Sequence, residues 1–117
     1  MQIEERLVGD VAIVKVAGDI TLNAGSDVRL KDKIQSLLQQ GQKQLIVDLG
    51  GVSYVDSAGL GQLVQIQTTT ANHGGKLKLL NVTKRLNDLL VVTKLVTVFD
   101  TFENEAEALA SFGKAGA

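Results

Sequence analysis

Apolar and polar positions along this chain change period several times, and each change marks an element. Ile3 to Val8 reads as a strand and Val11 to Ala17 as a second. Gly9-Asp10 between them is a turn signal, so the two predict an antiparallel hairpin. Gly18-Asp19-Ile20-Thr21-Leu22-Asn23 reads as a connection. The period then becomes helical: Leu30, Ile34, Leu37 and Leu38 recur at i, i+4, i+7 and i+8, with Ser26 or Asp27 as cap and Gly41 as the stop. Gln44 to Leu49 is an apolar strand, followed by a turn at Gly50-Gly51 and a segment Val52-Ser53-Tyr54-Val55 leading to Asp56-Ser57. From about Ser57 to Asn72 the spacing of Leu60, Leu63 and Val64 predicts a second helix, with His73 in its last turn and Gly74-Gly75 ending it. Lys76 to Leu80 is a strand in which lysines alternate with leucines. Thr83 caps a helix carrying Leu86, Leu89 and Leu90, and Val96 to Phe99 is a short last strand. Asn104 and Glu107 fit a capping box for a final helix carrying Ala106, Leu109 and Phe112. Lys114 to Ala117 is expected to fray.

After the hairpin, strands alternate with helices, which implies right-handed crossovers and parallel pairing. The expected fold is α/β: one domain over residues 1–113, with a mixed, mostly parallel sheet of about five strands, an N-terminal hairpin and about four helices. Leu45, Ile46, Val47, Leu60, Leu63, Leu79, Leu89 and Leu90 are its predicted core. At 117 residues the chain can bury such a core without staples.

Composition narrows the function more by exclusion than by suggestion. There is no cysteine, hence no disulfide framework or thiol nucleophile. Twelve basic and 13 acidic residues give a net charge of −1 with no basic cluster, which argues against direct nucleic-acid binding. The longest apolar runs, such as Leu89-Leu90-Val91-Val92, are too short for membrane insertion. The opening MQIEER has no apolar h-region, so it does not read as a signal peptide. A cytoplasmic protein is expected.

The stretch Leu45 to Gly61, LIVDLGGVSYVDSAGLG, organises the rest. Asp56 or Ser57 is the expected N-cap of the second helix, because a short side-chain oxygen there can accept an unpaired backbone N–H. Ser57 stands at the positive end of the helix dipole. Gly59 and Gly61 in the first turn each cost about 1 kcal/mol relative to alanine, so they need a reason: close packing of helix on strand, or close approach of a partner. Few parts of an enzyme are present. His73 is the single histidine, and a helix C-terminus suits it structurally. No group of residues has metal-ligand spacing. Gly59-Leu60-Gly61 is followed by Val64 where a dinucleotide fingerprint needs a third glycine, and no P-loop lysine follows. Asp56 beside Ser57 makes no triad without a base, and Asp48 reads as a hydrogen-bonded strand-end acid. No catalytic residue, metal or cofactor is therefore expected.

VDLGGVSYVDSAGLGQLV resembles the signature of the STAS domain, specifically of bacterial anti-sigma factor antagonists. That signature is a strand ending in Asp-Leu, a short turn, an aromatic-apolar pair (Tyr54-Val55), then Asp-Ser-x-Gly-Leu-Gly opening a helix. Gly18-Asp19-Ile20 is similar to the family's Gly-acid-apolar turn, and Glu105-Ala106-Glu107-Ala108-Leu109 to its Glu-Ala-rich ending. Where many members have an aspartate shortly after the turn glycine, this chain has Thr21.

The resemblance implies a protein that binds an anti-sigma factor serine kinase and so frees a sigma factor. The kinase would phosphorylate Ser57 and release the antagonist; a serine phosphatase would reset it. ATP, magnesium and the catalytic base would belong to the kinase. Ser53, the nearest competing hydroxyl, is expected to be harder to reach than Ser57. The expected partner surface comprises Asp19, Thr21 and Asn23, then Asp56, Ser57, Ala58, Gly59, Leu60 and Gly61, with Asn81 and Thr83 beside them. All lie at strand ends, where open α/β sheets place their sites. A STAS scaffold subunit of a transport or sensory assembly is the alternative, and a small-ligand module a third reading.

Overall fold

In the computed structural model, which describes residues 2–20 and 26–113, nine elements follow one another. β1 (Gln2–Val8) and β2 (Val11–Ile20) form the antiparallel hairpin; α1 (Ser26–Gln39), β3 (Gln44–Val55), α2 (Ser57–Asn72), β4 (Lys76–Leu80), α3 (Lys84–Val92), β5 (Asp100–Phe102) and α4 (Glu105–Gly113) come after it. The sheet order is β1-β2-β3-β4-β5, with every pair after the hairpin parallel. This is the expected mixed α/β sheet with its N-terminal hairpin.

Apolar runs without alternation in β2 and β3 have a simple cause: both faces of the sheet are covered. Successive strand side chains point to opposite faces. Ala12, Val14 and Val16 of β2, Leu45, Val47 and Leu49 of β3, and Leu77 and Leu79 of β4 join α1, α2 and α3 in the larger core. Val11, Ile13, Ile46 and Leu80 face the other way, onto Ala108 and Phe112 of α4. On that side Lys78 is buried, its ammonium 5.0 Å from the Phe112 ring centre and 3.3 Å from Asp100 Oδ2. The stem of the lysine thus packs under α4 while its charge keeps a partner. Arg6 of β1 pairs with Glu105 at the start of α4, and the hydrogen bond and charge of Glu105 raise the guanidinium pKa further.

The helix ends follow the sequence closely. Gly41, at φ +89°, ends α1 in the left-handed region, and the Gln42 N–H donates to the Leu37 carbonyl. Thr83 Oγ1 accepts from Leu86 N at 3.2 Å, and Asn104 Oδ1 from Glu107 N at 3.2 Å. His73 caps the end of α2, with Nδ1 donating to the Thr69 carbonyl. The cap expected of Ser26 or Asp27 rests on side chains outside those described, as does the fraying of residues 114–117.

Four expectations are corrected. Gly18-Asp19-Ile20 continues β2, and Gly50 to Val55 continues β3, because the two extensions pair with each other. Gly18 pairs Val52 and Ile20 pairs Val55, with register shifts between Lys15 and Ala17 and between Gly18 and Asp19. The glycines that read as turns therefore lie in an irregular but continuous ladder. β5 is Asp100–Phe102 rather than Val96–Phe99, since Asp100, Thr101 and Phe102 pair with Lys78, Leu79 and Leu80; Phe99 is buried, but Val96 and Val98 are exposed. Leu89 meets the expectation of being mostly buried, packed against the core's edge. In α4 Ala106 is exposed and Ala108 takes its place in the core.

Candidate functional site

β3 is longer than its neighbour. Its pairing with β4 ends at Asp48 opposite Leu80, and seven further residues run on with β2 alone beside them. The point of departure is tied down by Asp48, whose Oδ1 accepts from Gly50 N at 3.0 Å and from Asn81 Nδ2 at 3.1 Å. Asn81 itself adopts φ +57° and donates its N–H to the Phe102 carbonyl. Asp48 is thus hydrogen-bonded as expected, but it lies inside β3, where the pairing with β4 stops, and not at a strand end.

At the tip of this extension α2 begins. Asp56 has extended backbone angles and its Oδ1 accepts from Gly59 N at 2.6 Å. The N-cap is therefore Asp56, which settles the choice between Asp56 and Ser57. Ser57 becomes the first helical residue. It is exposed, and among the described residues its hydroxyl has no hydrogen-bond partner. The two glycines separate cleanly. A Cβ on Gly59 would stand 1.9 Å from the Ile20 carbonyl oxygen, so the helix seats directly on the end of β2 only because that position is bare. The Asp56 N–H reaches the same carbonyl at 3.4 Å. A Cβ on Gly61 would meet nothing within 4 Å. Gly59 serves the domain's own packing; Gly61 has no such reason and faces open space.

Of the residues expected at the partner surface, Ser57 and Gly61 are exposed, and Asp56 and Ala58 half-buried. Asp19, also exposed, is brought beside them by its pairing with Tyr54. Gly59 and Leu60 are buried under this surface. Asn81 sits at the base of the β3 extension, held by Asp48, and Thr83 is occupied in capping α3. Thr21 and Asn23 lie outside the described residues. Ser53 is exposed, contrary to the expectation that it would be hard to reach: among the described residues the extension has no strand neighbour on its β4 side. What distinguishes Ser57 from Ser53 is its position at a helix N-terminus, not its accessibility.

The family profile described as the STAS domain matches residues 2–108. The chain belongs to the STAS domain family. This STAS domain is 37% identical over 87 residues to the anti-sigma-B factor antagonist of Bacillus subtilis, covering 74% of this chain and 77% of the relative. An anti-sigma factor antagonist of Mycobacterium paratuberculosis superposes with a TM-score of 0.81 at 18% identity, over 94% of this chain and 92% of that one. The Bacillus anti-sigma factor antagonist SpoIIAA, solved both unphosphorylated and phosphorylated, superposes with TM-scores of 0.71 and 0.72 at 15% and 18% identity. Coverage is 97% of this chain and 98% of SpoIIAA in the first case, and 95% and 99% in the second.

Among the described residues of this STAS domain no helix is long and apolar enough to cross a membrane. No group of three or more histidine, aspartate or glutamate side chains is placed to hold a metal there either. Sequence reasoning missed one surface near Ser57. Tyr54 and Val55 at the tip of β3 and Leu89 and Val92 of α3 line an open apolar groove of about 320 Å³. The aromatic-apolar pair before Asp56 and the run Leu89 to Val92 were its only traces in the sequence.

Proposed function

We propose that this STAS domain is an anti-sigma factor antagonist that binds an anti-sigma factor serine kinase, frees a sigma factor, and is switched off by phosphorylation of Ser57. A serine phosphatase restores the binding form. The observation that carries this reading is the division of labour at the start of α2. Asp56 does the capping, and Ser57 is exposed with no hydrogen bond from its hydroxyl among the described residues.

The physics of the switch is local. A phosphate adds about −1.5 to −2 charges and three acceptor oxygens. Within the domain that charge is tolerated, because the helix N-terminus favours an anion. Within an interface it must be desolvated beside the Asp56 carboxylate. Two unit charges about 5 Å apart repel by roughly 3 kcal/mol at an effective dielectric of about 20, and about 2.7 kcal/mol is a hundredfold in affinity. Release therefore requires no refolding. Gly61 leaves room for a kinase's backbone to approach, and Asp19 flanks the same end of the sheet. ATP, magnesium and the catalytic base are the kinase's.

Incubation with the anti-sigma factor kinase of the same genome and Mg·ATP, followed by mass spectrometry, tests the site. Phosphate should appear on Ser57 and be absent from Ser57→Ala. Comparable phosphate on Ser53, which is also exposed, would contradict the reading.

A further inference from the structure

Several features of the molecule call for an occupant less than they first suggest. Lys78 has Asp100 and two aromatic rings, so its burial is accounted for. The cleft beside the start of α3 is lined by Lys84, Asn87 and Glu103 among others, so the one cation that could attract an anion to the helix N-terminus shares the cleft with an acid. The groove at the tip of β3 is different, because two independent features meet there.

The first is apolar surface. Tyr54 is 46% exposed and Val92 78% exposed, and with half-buried Val55 and Leu89 they line the groove between the β3 tip and α3. Arg85 and Asp88 add one charge of each sign. At about 320 Å³ it holds one or two large side chains, and it lacks the convergent polar groups that orient a small metabolite. The second feature is backbone. Among the described residues β3 has no strand on its β4 side beyond Asp48; the Gly50 N–H is taken up by Asp48 Oδ1, and past it the edge lies open beside the groove. An open strand edge beside an apolar pocket suits an extended polypeptide, whose main chain supplies hydrogen bonds and whose side chain fills the pocket.

We propose that this groove receives a large apolar side chain on an extended segment of the anti-sigma factor kinase. The interface then runs from Ser57 across the tail of β3 onto α3. This rests on the partner reading above, and continuity supports it: Tyr54 and Val55 immediately precede Asp56-Ser57 in one strand. A contact of this kind anchors the complex independently of the phosphorylated hydroxyl, so it sets affinity where Ser57 sets switching.

The test uses the full chain and the kinase of the same genome, with affinity measured by calorimetry for unphosphorylated wild type, Val92→Asp, Tyr54→Ala and the control Leu7→Asp. Leu7 is an exposed apolar residue on the far edge strand. Val92→Asp should weaken binding about tenfold or more and Tyr54→Ala about fivefold or more, as expected of truncated apolar anchors. Leu7→Asp should bind within about twofold of wild type, and circular dichroism should show all three folded. Phosphorylated wild type is measured alongside. If phosphorylation weakens binding but Val92→Asp and Tyr54→Ala do not, the groove proposal is overturned and the switch stands. If the groove variants weaken binding and phosphorylation does not, the groove stands and the switch fails. Equal loss in Leu7→Asp, or a wild type that does not bind the kinase, overturns the groove proposal.

Discussion

The two halves of β3 are one strand by backbone and two different objects by environment. Gln44 to Asp48 lies between β2 and β4, and Leu45, Ile46, Val47 and the adjoining Leu49 are fully buried. Gly50 to Val55 leans on β2 alone, and there only Val52 is buried. The first half is built from long branched side chains because it fills the core on both faces. The second carries glycines, a serine and a tyrosine because it delivers the start of α2 to the surface. Scaffold and site are thus separated at Asp48, whose carboxylate fixes the place where β4 stops.

Substitution should expose this contrast most strongly in paired measurements of stability by urea unfolding. Leu49→Ala, adjoining the first half, should cost about 3 kcal/mol through lost burial and a cavity. Tyr54→Ala, five residues on, should cost less than about 1 kcal/mol, because almost half of the side chain is already in water. Comparable losses at the two positions would mean that the second half is packed like the first.

At the tip, the two glycines of α2 repeat the comparison on a smaller scale. Gly59→Ala should cost about 2–3 kcal/mol, since its Cβ would meet the backbone carbonyl of Ile20 and not a side chain that can swing away. Gly61→Ala should stabilise by up to about 1 kcal/mol, because a helix prefers alanine and nothing stands near the added carbon. If Gly61 is bare for a partner's sake, the same variant should bind the kinase more weakly despite its greater stability. Smaller again is the effect of capping. Asp56→Ala should cost about 1 kcal/mol, whereas Ser57→Ala should lie within about 0.5 kcal/mol of wild type, because the hydroxyl holds no cap. A larger loss in Ser57→Ala than in Asp56→Ala would reverse the assignment of the N-cap.

How legible these regions were in the sequence follows the same division. The core half of β3, the helix spacing of α2, β4 and the caps at Thr83 and Asn104 could be read directly, since burial on known faces and short polar caps leave local patterns. The extensions Gly18–Ile20 and Gly50–Val55 could not. Each contains glycines that signal a turn, and only their pairing with one another keeps them extended. Val96 to Phe99 misled in the opposite sense: an apolar run suggested a strand, but the register of β4 selects Asp100–Phe102 instead. Ser57 was legible through its neighbours, as a serine flanked by aspartate and glycines at a change of period. The groove was not, because Tyr54 and Val92 are far apart in the chain and nothing local says that they share a surface.

The central claim is that phosphate on Ser57 weakens partner binding while leaving the domain folded. Calorimetric titration of the anti-sigma factor kinase with enzymatically phosphorylated and unmodified protein measures it directly, with thermal unfolding of both forms alongside. The account predicts an affinity at least about a hundredfold lower for the phosphorylated form and an unfolding temperature no lower than that of the unmodified protein, since a helix N-terminus favours the added charge. Equal affinity of the two forms would contradict it.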